Sequence, residues 1–460
     1  FPIWHREIED IIVLKNNKGT EDNRVRKLDY SIQLSKLFYE RFIENKEVSL
    51  FSPHDCPGLF ESFGTDKFDE LYRYYEDDKS VPRATIGGQE LILSLLKERA
   101  ETGRIYLMNI DHVNSHSSFK DKVSMSNLCQ EITLPTDPIS HIDDGGGEIA
   151  LCILSAINVG KIRRLTELEG LCDLAVRGLE ELIDYQNYPV KAAERSTLAR
   201  RSLGIGYIGL AHYLAKNGEH YADKGAWKLV HDLTEAFQYN LLKASNNLAK
   251  ERGACDGFQH TKYSDGILPI DTYKKEVDEI VENTLAYDWD SLRDDIKEFG
   301  LRHSTLSAQM PSESSSIVSN ATNGIEPPRD YLSVKKSKKG PLKQIVPQYN
   351  TYRNNYTLLW DMESNEGYIK IVAVMQKFFD QAISGNWSYN PENYPDNKVP
   401  VSVMAGDLLA TYKYGWKTSY YQNTYDIKKD EETPDNTEVL DNLINDIMSG
   451  NEAECDACNV

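Results

Sequence analysis

Apolar positions recur along the chain in two rhythms, one of short continuous runs and one of helical spacing. The runs IIVLKNN (11–17), RIYLMNI (104–110) and EIALCILSAINVG (148–160) predict strands, the last one buried on both faces. Apolar residues at three- and four-residue spacing predict helices over Leu28–Phe42, Glu90–Arg99, Leu165–Asp184, Trp227–Arg252 and Asp271–Phe299. TLSAQ, at 305–309, reads as a short strand running into a Ser-rich turn. Further on, YLSVKK and LKQIVP predict a hairpin, followed by helical pattern through VAVMQKFFDQAIS, so 329–395 reads as a compact α/β insert. VSVMAGDLLATYKYG (401–415) predicts a helix and WKTSYYQN (416–423) a strand. Strands alternating with helices point to an α/β fold, and no internal repeat is visible.

Two stretches break the rhythm. Residues 111–148 have no clear period over 38 residues, far beyond an ordinary connection, and loops of that length in compact proteins usually carry function. From Asp430 to Val460 there are ten acidic residues and no basic one, the pattern of a flexible acidic tail. The chain opens at Phe1 without an initiator Met and with an apolar pattern already under way, which reads as a piece of something longer.

Composition narrows the class. The 460 residues give a net charge of −20, so a free-standing nucleic-acid binder is not expected. With 40% hydrophobic residues the chain can fill a core. There is no 18-residue apolar run to span a membrane, and FPIWHREIED has no basic segment leading an apolar core, so no secretory signal is expected in it. Seven cysteines, an odd and sparse set, suit a reducing cytoplasm, where a reactive thiol is catalytic or redox-active.

Five groups could carry chemistry. Asn127, Cys129 and Glu131 stand at i, i+2 and i+4; in an extended segment all three point one way, joining an amide, a thiol and a carboxylate. A buried Cys beside a solvated Glu accounts for the same letters. Cys152, inside an apolar strand, reads first as packing. Cys455 and Cys458 form a lone CxxC on the tail, with no second pair for zinc and no folded setting for a thioredoxin-like site; a dithiol on an arm is the redox option. Ser312, Glu313, Ser314 and Ser315 form a turn before a helix start, able to hold an anion or simply to cap the helix. Tyr420 and Tyr421 are adjacent in a chain rich in Tyr. Three other signals carry little: Gly204-x-Gly206-x-x-Gly209 lacks a preceding strand, His112 and His116 lack a third ligand, and Lys335, Lys336, Lys338, Lys339 and Lys343 suit a solvated hairpin turn.

Taken together, DHVNSHSSF, SNLCQEITLPT, GEIALCILSAINVG, LGIGYIG, GILPIDTYKK, LSAQMPSESSSIVSNATNGIEPPR and YYQNT resemble the large catalytic subunit of class I (aerobic) ribonucleotide reductase, in order from Phe1 to about Asp426. The resemblance implies the carboxy-terminal half of that subunit, from a split gene or as a fragment. The fold would be most of a ten-stranded α/β barrel with its first strands missing: a barrel part at 1–328 with a finger loop at 111–148, a small α/β domain at 329–395, a closing helix and strand at 396–427, and a redox tail at 428–460.

Roles follow from the same likeness. Cys129 becomes the thiyl radical that takes the ribose 3′ hydrogen, Glu131 accepts the 3′-hydroxyl proton, and Asn127 orients the substrate hydroxyls. Cys152 is one of the two reducing thiols. Tyr421 and Tyr420 relay the radical, Ser312–Ser315 hold the substrate diphosphate, and Cys455 and Cys458 re-reduce the active-site disulfide. The implied partners are an amino-terminal half, a metal-containing small subunit that generates the radical, thioredoxin or glutaredoxin, and a ribonucleoside diphosphate. No cofactor is expected on this chain, and nucleotide effectors are expected on the amino-terminal part. None of Cys56, Cys172 or Cys255 falls at the position of the thiol that partners Cys152 in the family. A non-catalytic copy that binds or regulates an intact reductase is the alternative, and keeping the whole reactive set argues against it.

Overall fold

A computed structural model describes residues 1–16, 18, 24–144, 146–337 and 340–426. Its strands are β1 (Tyr30–Leu34), β2 (Glu47–Phe51), β3 (Arg83–Gly87), β4 (Ile105–Asn109), β5 (Ile153–Asn158), β6 (Leu203–Ile208), β7 (Leu332–Ser337), β8 (Gly340–Ile345), β9 (Trp387–Tyr389), β10 (Thr418–Ser419) and β11 (Gln422–Thr424). The alternation with helices is the α/β class expected.

Two parallel pairs form the walls that matter for the site. β1 lies beside β4 in register Tyr30↔Ile105 to Leu34↔Asn109, and β10 adds antiparallel on the other edge of β4. β5 pairs with β6 from Ile153↔Leu203 to Asn158↔Ile208. Every residue of β4 and β6 is buried, as befits strands covered on both faces. Past β6 the wall continues through single parallel bridges, Ile205 to Ser307 and Gln309 to Ile383. Among the described residues no sheet closes into a ring.

The helices cover these walls. Gly88–Thr102 buries Leu91, Ile92, Leu95 and Leu96, and ends at Gly103, whose φ of 68° delivers the chain into β4. A Cβ at Gly103 would come 2.8 Å from the Gln422 carbonyl, so that close approach to β11 needs glycine. The 29-residue helix Lys224–Arg252 packs against Leu168–Tyr185 on one side and Glu366–Gln376 on another. No helix of the described residues is long and apolar enough to cross a membrane.

Several expected elements differ. The strand expected at 11–17 does not form in its described residues: the helix Ile8–Ile12 runs into it, because Ile8 and Ile12 bury together one turn apart, and turns follow. Leu28–Phe42 divides into β1 and the helix Lys36–Ile43 at Ser35. The irregular loop begins with a helical turn, Ile110–Ser115. The long helix expected over Asp271–Phe299 is three pieces, Pro269–Thr272, a 3₁₀ turn at Lys275–Glu279, and Trp289–Phe299. The break has a physical cause: the buried Glu235 carboxylate accepts the Ala286 and Tyr287 backbone N–H groups (2.8 and 3.1 Å) and the Trp289 indole N–H (3.1 Å). The expected hairpin forms as β7 and β8, antiparallel from Leu332↔Ile345. WKTSYYQN is two short strands rather than one, with Tyr420 and Tyr421 at the switch from β10 to β11.

Candidate functional site

Residues 126–132 form a tight turn, not the extended segment expected. The Asn127 carbonyl accepts both the Gln130 N–H (3.1 Å) and the Gln130 side-chain amide (2.9 Å), while Asn127 Oδ1 accepts the Ile132 N–H at 3.1 Å. Gln130 takes a left-handed φ of 70° to close it. The turn presents Cys129 half-buried and tucks Glu131 away at 2% exposure.

Behind Cys129 stands the tyrosine pair. Tyr420 Oη donates to Cys129 Sγ at 3.5 Å, within the longer reach of sulfur. The Tyr420 and Tyr421 rings are in contact, with centroids 3.9 Å apart. Burial pushes the Cys129 thiol above its usual range, and the Tyr420 hydrogen bond opposes that. A third ring was not foreseen: Tyr106, from β4, lies 4.7 Å from Tyr420 and 5.8 Å from Tyr421 by centroid. Its position in a fully buried strand gave no sequence signal beyond an aromatic among aliphatics.

Glu131 is raised above the ordinary carboxylate range by burial, against hydrogen bonds from Asn127 and Ser384. Ser384 Oγ lies 3.3 Å from Glu131 Oε2 and donates to the Cys129 carbonyl, so one hydroxyl touches both halves of the turn. A carboxyl so placed holds a proton more readily than an exposed one.

Cys152 lies immediately before β5. Burial raises its thiol strongly, and the Glu131 charge acts in the same direction on both Cys152 and Cys129. Gln381 Nε2 donates to Cys152 Sγ at 3.6 Å and to the Leu203 carbonyl at 2.9 Å, while its Oε1 accepts the Thr133 N–H at 3.2 Å. That one amide ties the Cys152 wall to the turn's far side. The glycine pattern at 204–209 is explained here too. Gly204 and Gly206 lie inside β6, not after it, and a Cβ at Gly204 would sit 2.7 Å from Cys152 Sγ.

Ser312 is buried and turns its hydroxyl back to the Met310 carbonyl (3.2 Å), making no side-chain cap to the helix Glu313–Val318. Ser315 Oγ donates to the Ser312 carbonyl at 3.2 Å. The turn with Glu313 and Ser314 follows the extended segment whose Gln309 carbonyl accepts the Ser384 N–H at 3.0 Å, so it belongs to the same end of the wall. Cys455 and Cys458 lie outside the described residues. Cys56, Cys172 and Cys255 are buried free thiols.

The remaining candidates are structural. His112 stacks on Tyr412 and shares Nδ1 with the Trp416 carbonyl (3.1 Å); His116 spans Thr272 Oγ1 and the Gln376 carbonyl (2.8 and 2.7 Å). Among the described residues one group has metal-like spacing, His231, Asp232 and Glu235. There both His231 nitrogens are already engaged, by Asp232 (3.3 Å) and by the Lys377 ammonium (3.3 Å), which opposes a cation.

Comparison with known proteins agrees with the likeness read from the motifs. The family model for the ribonucleotide reductase barrel domain matches residues 1–422. The ribonucleoside-diphosphate reductase subunit alpha of Haemophilus influenzae is 59% identical over 435 residues, covering 94% of this chain and 58% of that relative. The Escherichia coli subunit alpha of reductase 1 is 51% identical over 435 residues (94% and 57%), and that of phage T4 is 44% identical over 436 (93% and 57%). The chain therefore spans a little under three-fifths of the curated relatives it matches.

Proposed function

The chain belongs to the ribonucleotide reductase barrel family, and from that premise we propose that it supplies the catalytic barrel portion of a class I large subunit, reducing ribonucleoside diphosphates to 2′-deoxyribonucleoside diphosphates. The observation that carries the reading is the run of contact from Tyr421 through Tyr420 to the Cys129 sulfur. Tyrosine and cysteine each lose an electron and a proton together, and here their hydroxyl and sulfur lie in hydrogen-bonding contact.

The radical enters from a small subunit that generates it, passes Tyr421 and Tyr420, and leaves Cys129 as a thiyl. The thiyl takes the 3′ hydrogen of the ribose, becoming a thiol, while Glu131 accepts the 3′-hydroxyl proton; its raised affinity suits a group that must later return it. Asn127 orients the hydroxyls. The 2′-hydroxyl leaves as water, and two electrons come from Cys152 and a second thiol, which join as a disulfide. Return of a hydrogen atom from Cys129 restores the thiyl. The turn at Ser312–Ser315 holds the diphosphate, and Cys455 with Cys458 passes electrons from thioredoxin or glutaredoxin to the disulfide. The second thiol and the nucleotide-effector sites belong to the remaining length of the relatives.

The test is reduction of a ribonucleoside diphosphate by this chain assembled with an amino-terminal complement and a radical-generating small subunit. Turnover that disappears in Cys129→Ser and in Tyr421→Phe is expected. An assembled complex that binds nucleotide and never reduces it would place the chain among non-catalytic copies.

A further inference from the structure

Arg99 is a cation in an unusual place. Its residue is 0% exposed, at the end of the buried stripe of the helix Gly88–Thr102. The groups that act on it electrostatically are the Tyr389 and Tyr106 phenols, not a carboxylate, and its Nε has no hydrogen-bond partner among the described residues. Burial lowers the guanidinium to about 10, so it stays charged at neutral pH. A buried charge with no counter-charge is costly, and a methionine or leucine would fill such a stripe without that cost.

What the guanidinium does instead is hold backbone. One nitrogen, Nη1, donates to the Tyr420 carbonyl at 2.8 Å and to the Ile105 carbonyl; the other, Nη2, donates to the Tyr421 carbonyl at 3.3 Å. Its flat face lies over the Trp387 indole, 4.8 Å from the centroid. The need arises from topology. Tyr420 and Tyr421 are the two residues between β10 and β11, where the chain leaves an antiparallel ladder on β4 and joins a parallel one on β9. At such a switch the ladder leaves the Tyr420 carbonyl to a side chain, while the Tyr421 carbonyl already accepts the Trp387 N–H (2.9 Å) and the guanidinium adds a second contact. The amide side of the same two residues is held separately, Tyr420 N–H by the Gly385 carbonyl (2.8 Å) and Tyr421 N–H by Asn386 Oδ1 (3.0 Å).

We propose that Arg99 is the positioning residue of the tyrosine pair: its planar fork locks the Tyr420 and Tyr421 carbonyls so that the two rings stay in contact and the Tyr420 hydroxyl stays on the Cys129 sulfur. The inference rests on the function proposed above for its effect on turnover, and on geometry alone for its effect on the rings. Arginine is required because lysine carries the charge without the fork or the stacking plane.

The experiment uses Arg99→Met and Arg99→Lys in the full chain. Each is checked for folding by thermal unfolding, then read in two ways. In the assembled enzyme kcat falls by about ten-fold or more while KM for the ribonucleotide stays within about two-fold, because substrate contacts are untouched. In the chain by itself, 3-fluorotyrosine placed at 421 gives one ¹⁹F line in the parent and a shifted or split line in either variant. If the parent assembly does not turn over, the functional reading fails and the ¹⁹F line still decides for Arg99. Should Arg99→Met not fold, Arg99→Lys is judged by the same readouts. A folded variant with the parent's ¹⁹F line, or with unchanged kcat in an active assembly, overturns the proposal.

Discussion

Gly204→Ala tests the link between the β6 wall and the Cys152 thiol. The added methyl would start 2.6 Å from Leu154 Cδ2, 2.7 Å from Cys152 Sγ and 3.2 Å from Ala308 Cβ. Two of these are closer than carbon or sulfur contacts permit, and both lie on β5 or just before it, which is hydrogen-bonded to β6 in fixed register. Relief requires the strands to part or the thiol to rotate off Gln381, whose amide reaches it at 3.6 Å. Overpacking of this kind costs about 1–3 kcal/mol. Gly178 supplies the opposite sign in the same molecule. It lies mid-helix in Leu168–Tyr185 with nothing within 4 Å of an added methyl, so Gly178→Ala should stabilise by about 0.5–1 kcal/mol through helix propensity and a stiffer unfolded chain. Urea unfolding of the two variants against the parent reads both, and reaction of Cys152 with a small disulfide reagent in the native state reads the thiol's displacement. Gly204→Ala should lower the urea midpoint and change the Cys152 reaction rate, while Gly178→Ala should raise the midpoint and leave the rate alone. A Gly204→Ala chain as stable as the parent, with an unchanged thiol, would refute the steric account of the glycine pattern.

Other outcomes follow from the same geometry. Tyr421→Phe should lower kcat of the assembled enzyme by about 10²-fold or more with ribonucleotide binding unchanged, since phenylalanine keeps the ring contact and loses the hydrogen that the relay moves. Glu326 is raised by burial from 4.5 to about 7, so the folded chain keeps a proton that the unfolded chain releases; stability from this group is complete below pH 4.5 and is lost as pH rises through about 7, by at most about 3 kcal/mol. Glu326→Gln should remove that share of the pH slope in urea unfolding while keeping its contact to Asn386 (3.2 Å in the parent), and an identical slope in the variant would count against the assignment. Replacing both Cys455 and Cys458 by Ser should stop repeated turnover with thioredoxin yet leave a single turnover of pre-reduced enzyme, with dithiothreitol restoring part of the cycling.

What the sequence disclosed was local. The apolar run at β4 and the stripe of Leu91, Ile92, Leu95 and Leu96 stand out in the letters because a buried strand or helix face must be apolar residue by residue, whereas β6 went unread because its two glycines looked like a loop fingerprint. The candidate residues at 127–131, 152 and 420–421 were singled out through their motifs, and the structure puts Cys129 against Tyr420 and Tyr420 against Tyr421. Arg99 carried a usable cue: it falls on the same face as those leucines, and a charge in register with a buried stripe has to be spent on something. Gln381 and Ser384 carried none. The helical pattern reads on through both of them to Ser384 although the helix ends at Gln376, and their partners, Thr133, Cys152, Cys129 and Glu131, lie more than two hundred residues away. The break at Asp271–Phe299 was hidden for the same reason, since the group that turns the chain there is Glu235 on another helix.

The segment Phe379–Trp387 gives the site its coherence. Gln381 reaches Cys152, Ser384 reaches Cys129 and Glu131, the Gly385 carbonyl takes the Tyr420 N–H, and Asn386 takes that of Tyr421. Each of these residues thus has a polar contact on one short strap, Cys129 and Glu131 sharing Ser384. The strap is itself pinned by Lys417, 0% exposed, whose ammonium donates to the carbonyls of Phe379 (3.4 Å), Asp380 (2.8 Å) and Gln381 (2.9 Å). Two buried basic side chains, Lys417 and Arg99, therefore bind main-chain oxygens at the two ends of the same arrangement. Main-chain anchors fix position without lending a side chain to the chemistry, and they act on different parts. Loss of a strap side chain should displace only the groups it touches, whereas loss of the Lys417 anchor frees the strap and should displace the thiols, the carboxyl and the tyrosine pair together. A double-mutant cycle between Ser384→Ala and Gln381→Ala would then give nearly additive effects on turnover, and the same cycle built on Lys417→Met would not.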